Sequence, residues 1–66
     1  MNISANRIEA ILAERRMTKA TLAKICGISR QNISTIVRRG TCEPKTAGKL
    51  ADGLGVPLAD ILEGGN

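Results

Sequence analysis

Residues 18–40 read TKATLAKICGISRQNISTIVRRG. The pattern predicts two short amphipathic helices joined by a tight turn at Gly27. Leu22, Ala23 and Cys26 supply one apolar face; Ile33, Ile36 and Val37 supply the other. Two helices crossing steeply approach closest at a small residue, which is the role expected of Ala23. The chain must leave the first of the pair through a left-handed conformation, and glycine alone adopts that without penalty. This is helix-turn-helix patterning.

Working outward, one device marks the start of each helix. A hydrophobic staple pairs an apolar residue before the N-cap with another five positions later. Ile3-Ser4 with Ile8 fits it, as do Met17-Thr18 with Leu22 and Ile28-Ser29 with Ile33. Each has Ser or Thr at the cap, the residues whose side chains best satisfy the first free backbone N–H groups. Val56 and Ile61 have the same spacing around Pro57, a poorer cap. The predicted helices are 5–15, 19–26, 30–38, 44–54 (opened by Pro44, closed at Gly55) and a short one at 57–63, with a frayed tail at 64–66. Ile8, Ile11 and Leu12 form the inner face of the first helix, and Ala47, Leu50, Ala51 and Leu54 that of the fourth. Gly48 and Gly53 weaken the fourth helix by roughly 1 kcal/mol each relative to alanine, so close packing against a neighbour is expected there. The expectation is one all-α domain, 1–66, with its helix-turn-helix unit at 18–40.

Composition removes several function classes. The chain has 66 residues, two cysteines, no histidine and no Phe, Tyr or Trp. A domain this small buries only about 60% of the surface its unfolded chain exposes. No secretory signal is read, and Cys26 and Cys42, 16 positions apart, are expected to be reduced thiols rather than a disulfide or zinc ligands. No apolar run approaches the roughly 20 residues of a membrane span, so a cytoplasmic location is expected. Without aromatic platforms, single-stranded nucleic acid has nothing to stack on, and a duplex is the better target. No nucleophile–base pair, phosphate-cradling glycine loop or cofactor motif is present, which speaks against an enzyme.

The net charge of +4 conceals an asymmetry. Residues 15–49 hold nine bases and one acid, Glu43, whereas the segments on either side are net negative. Concentration of charge in and around the two-helix unit points to a phosphate-facing surface. Projected at 100° per residue, the third helix turns Ile33, Ile36 and Val37 inward and clusters Gln31, Ser34, Thr35 and Arg38 opposite, with Arg30 on the exposed first turn. An α-helix fits the B-DNA major groove, where Arg30 suits a guanine edge and Gln31 an adenine edge. Ser34 and Thr35 are short enough to hydrogen-bond a base or touch a thymine methyl. Asn32 lies toward the flank and is given a lesser part. Arg38 and Arg39 suit phosphates better than bases, and they also complement the negative end of their helix. Lys19 and Lys45, each opening a helix whose N-terminus already favours an anion, are expected to be phosphate contacts as well.

These residues resemble the Cro/lambda-repressor-like (XRE-type) helix-turn-helix regulators. The similarity covers Arg7 to Glu63 and is carried by Leu22, Ala23, Gly27, Ile28, Ile33 and Ile36, with Leu54-Gly55-Val56 before the last helix. It implies a compact five-helix domain that docks its third helix in the major groove, as a dimer on a near-palindromic operator. It implies base reading at Arg30, Gln31, Ser34 and Thr35, and phosphate clamping at Lys19, Arg38 and Arg39. Three features depart from the family pattern. Arg16 stands where many members have glycine, Lys19 where many have glutamine, and Glu43 makes the 40–44 loop less basic. Leu58, Ile61 and Leu62 are the expected apolar contribution to a homodimer. The competing expectation is an antitoxin-type module that uses the same fold to grip a protein partner.

Overall fold

Hydroxyl side chains open the first three helices of the computed structural model, which describes residues 1–63. Helix α1 spans Ala5–Glu14, α2 Lys19–Cys26, α3 Arg30–Arg39 and α4 Pro44–Leu54, followed by a single 3-10 turn at Leu58–Ile61. Ser4, Thr18 and Ser29 accept from the backbone N–H of Arg7, Thr21 and Asn32 at 3.2, 3.1 and 3.0 Å. Such caps stabilise a helix by about 1 kcal/mol each. The fourth helix starts differently, with Pro44 in its first turn and no side-chain cap from Glu43. The inner staple residues Ile8, Leu22, Ile33 and Ile61 all lose their solvent exposure completely.

The fold is therefore four α-helices and a 3-10 turn rather than five helices. Pro57 opens this last segment without a side-chain cap, and Leu62 already returns to extended backbone beside Ile3, so only one turn forms. The α1 helix also stops one residue early and α3 runs one residue further than expected. The tail at 64–66 lies outside the described residues. Twelve buried apolar side chains form the core, from Ile3 through Leu12, Leu22, Ile33 and Leu50 to Ile61. The α2 helix packs against both α3 and α4, and the 3-10 turn packs against α4 and α1.

Gly27 takes the left-handed conformation (φ +71°) that the turn requires. Behind it, the Ile28 N–H reaches back to the Ala23 carbonyl at 3.0 Å and closes α2. The turn after α1 solves the same problem without glycine. Arg16 itself adopts φ +54°. Its N–H donates to Ala13 and that of Met17 to Leu12, at 3.1 and 2.8 Å, which is the paired closure that usually recruits glycine. A left-handed L-residue costs about 1–2 kcal/mol, offset here by satisfied carbonyls and by Met17 packing on the core.

One feature had no sequence signal. Residues 1–4 run extended between the loop after α3 and the end of the chain. The Ile3 N–H donates to the Gly40 carbonyl and the Ser4 N–H to that of Ile61, at 2.9 and 2.7 Å, while Met1 and Asn2 carbonyls accept from Cys42 and Glu63. Ile3 is thereby buried, and the first residues are tied to Gly40–Cys42 and to Ile61–Glu63.

The two α4 glycines separate. A Cβ on Gly53 would lie 2.5 Å from Cys26 Sγ and 3.0 Å from Leu22 Cδ1, whereas one on Gly48 would meet nothing within 4 Å. Close packing thus holds at Gly53 and fails at Gly48. Gly48→Ala is expected to raise stability by about 0.5–1 kcal/mol through helix propensity. At Gly53 the overpacking penalty of about 1–3 kcal/mol outweighs that gain, so Gly53→Ala is expected to lower it. Paired thermal or urea melts check the opposite signs.

Candidate nucleic-acid interface

The exposed surface of α3 is built by its own buried side. Ile33 and Ile36 are held inside, which fixes the rotation of the helix and turns Arg30, Gln31, Ser34 and Arg38 to solvent. Gln31 and Arg38 form a crest, with a polar notch on either flank. On one flank, Thr18, Lys19 and Ala20 from the start of α2 face Arg30 and Ser34. On the other, Asn32, Thr35 and Arg39 face Thr41, Glu43 and Thr46. An anchored helix flanked by two recesses suits insertion into a groove bounded by two raised rims.

Thr35 is half-buried, and its hydroxyl donates to the Gln31 carbonyl one turn back at 3.0 Å. Its proton is spent inside the helix, leaving the methyl and the oxygen lone pairs for any external contact. Arg38 and Arg39 both lie within the last turn of α3 and are exposed. Lys45 is exposed on the first turn of α4 and lines neither notch. The structure thus gathers Lys19, Arg30 and Ser34 around one recess and Thr35 with Arg39 around the other, and leaves Lys45 apart.

Two further residues border this surface. Asn32 is exposed and shares its notch with Thr35 and Arg39. Its position on the helical projection, beside that of Arg39, is the signal that could have found it. Glu9, from α1, lies 3.6 Å from the Lys19 ammonium. Nothing in local spacing predicts a contact across the turn between α1 and α2.

That ion pair is the closest contact between opposite charges at this surface. Among the described residues it is the only salt bridge, so Arg30, Arg38, Arg39 and Lys45 have no described carboxylate within 4.0 Å, although Glu43 shares a notch with Arg39. Like charges left unpaired on and beside one helix raise the local positive potential and attract polyanions.

Cys26 and Cys42 are half-buried free thiols. Burial pushes the Cys26 thiol up from its ordinary value, helped by the Asp52 carboxylate and opposed by the Gly53 backbone and Lys49. Its Sγ donates to the Lys49 carbonyl at 3.2 Å. Burial likewise raises Cys42, against the pull of the nearby N-terminal ammonium and with a push from Glu43. Both therefore stay protonated at neutral pH, where a nucleophile would need the thiolate.

A family model for the Cro/C1-type HTH DNA-binding domain matches residues 7–64. The chain belongs to this family. The match begins within the first turn of α1 and runs on through α2, α3, α4 and the 3-10 turn. No curated protein and no solved structure matches the chain. As a Cro/C1-type domain it has DNA as its partner, which accords with the exposed cations around α3. No helix among the described residues is long and apolar enough to cross a membrane.

Proposed function

We propose that this Cro/C1-type domain is a sequence-specific regulator of transcription that binds duplex DNA and represses by occupying an operator. The α3 helix enters the major groove with its N-terminal half deepest. Arg30 makes a bidentate contact to a guanine edge and Gln31 one to an adenine edge. Ser34 and Thr35 complete the readout, Thr35 chiefly through its methyl group on thymine. Lys19, Arg38, Arg39 and Lys45 clamp phosphates and set the register of the helix in the groove. The observation that carries this reading is the exposed polar crest of α3, flanked by arginines with no carboxylate partner among the described residues.

The whole of 1–66 works as one domain, in the cytoplasm, and two copies bind a near-palindromic site. The apolar patch expected to join them is smaller than the sequence implied. Ile61 is fully buried in its own core, which leaves only Leu58 and Leu62 partly uncovered.

A module that grips a protein partner is the second reading, and one observation favours it. Ile25 on α2 is 55% exposed and borders a recess with Cys26, Lys49 and Asp52. Salt separates the two. Contact with Z phosphates gives a log–log salt slope of about −0.9Z, whereas apolar docking shows little salt response. Arg39→Ala is expected to weaken binding to every duplex similarly and to reduce the slope by about 1. Fluorescence anisotropy across a salt series reads both. An unchanged slope removes Arg39 from the clamp, and a flat response in the wild type favours the protein-partner reading.

A further inference from the structure

The Glu9–Lys19 pair sits where the proposed interface needs a free cation. Lys19 is the first residue of α2, where the helix dipole disfavours a positive charge. It lines the notch shared with Arg30 and Ser34. Glu9 reaches it from the exposed surface of α1, with its carboxylate 3.6 Å from the ammonium. Both side chains remain open to solvent, at 33% and 53% exposure, so the pair is weak enough to exchange. No other basic residue around α3 is restrained in this way among the described residues.

We propose that Glu9 is an intramolecular stand-in for a DNA phosphate: it occupies Lys19 in the free protein and yields it when a duplex docks, lowering affinity and salt sensitivity together. The inference rests on the duplex-binding reading and adds a residue of α1 that weakens the interface. In the wild type, Lys19 displaces a condensed cation from the phosphate, while the uncovered Glu9 carboxylate regains screening ions. The two movements oppose each other. Without the carboxylate only the release remains, and Lys19 contributes its full share of about −0.9 to the slope. Glu9 also stands close enough to a phosphate held by Lys19 for direct repulsion, well inside the Debye length of about 10 Å at 0.1 M salt.

The test is binding to a mixed-sequence duplex of about 20 base pairs, two helical turns, over a salt series, for wild type, Glu9→Gln, Lys19→Gln and the double variant. Losing an exposed ion pair is worth at most a few-fold, so Glu9→Gln is expected to bind about three- to fivefold more tightly. Its salt slope is expected to be steeper by up to about 0.9. In the Lys19→Gln background the gain should largely disappear. Thermal melts run alongside should show Glu9→Gln slightly less stable, since Lys19 then opposes the helix dipole alone. A purely structural pair would lower stability without steepening the slope. Equal affinity and slope in wild type and Glu9→Gln, or an undiminished gain without Lys19, overturns the proposal while leaving duplex binding intact. A wild-type protein with no salt-dependent binding overturns the duplex reading and this inference with it.

Discussion

Trimming Ile33 to alanine is expected to destabilise the protein by about 3–4 kcal/mol, within the range for large-to-small changes at fully buried sites. Ile33 has no solvent exposure and belongs to the staple that fixes how the chain enters α3. A chain of 66 residues has only about 3–10 kcal/mol of net stability, so the variant should lose about a third of it or more. Urea melts should show a large fall in midpoint with little change in slope, the mark of lost stability rather than altered compactness. Ile33→Val removes one methyl group and should cost about 0.5–1.5 kcal/mol. Duplex binding should fall with the folded fraction in Ile33→Ala and survive in Ile33→Val. An alanine variant within about 0.5 kcal/mol of wild type, the scatter of surface changes, would mean that α3 is not anchored through this residue.

Replacing Gln31 by alanine should leave the fold intact, because the side chain is exposed and makes no hydrogen bond to the rest of the protein among the described residues. Only its carbonyl is used, by Thr35, and alanine keeps that carbonyl. The expected change is in discrimination. A bidentate amide–adenine contact is worth about 1–3 kcal/mol against the wrong base, so preference at one base pair per half-site should fall about 5- to 150-fold. Affinity for unrelated duplexes and the salt slope should change little, since neither depends on Gln31. This is the inverse of the pattern expected for Arg39→Ala. An even loss across all sequences would assign Gln31 to the backbone instead.

The bundle was legible because its signals are local. Three staples, three hydroxyl caps and Gly27 each fall within six residues, and together they fix where α1, α2 and α3 begin and how α2 ends. The inner faces followed from helical periodicity alone. What escaped depends on residues far apart in the chain. The bonds from Ile3 and Ser4 to Gly40 and Ile61 involve a segment too short to show a pattern. Gly48 and Gly53 look alike in sequence, yet only Gly53 faces a neighbouring helix, over Cys26 and Leu22. Ile61 fits an exposed apolar patch or a staple equally well, and burial chose the staple. Within the candidate site, the exposed crest of α3 was readable from the 100° projection. The partner of Lys19 was not, because Glu9 meets it only after Arg16 has turned the chain.

In the proposed function, the outward side of α3 reads base edges in a duplex. Its most direct test is selection of bound fragments from a randomised duplex pool, by wild type and by Gln31→Ala in parallel. An enriched inverted motif is expected, with half-sites about one helical turn apart. One position per half-site should lose its preference in Gln31→Ala while the others persist. No enrichment by the wild type, or an identical motif from both proteins, would contradict it.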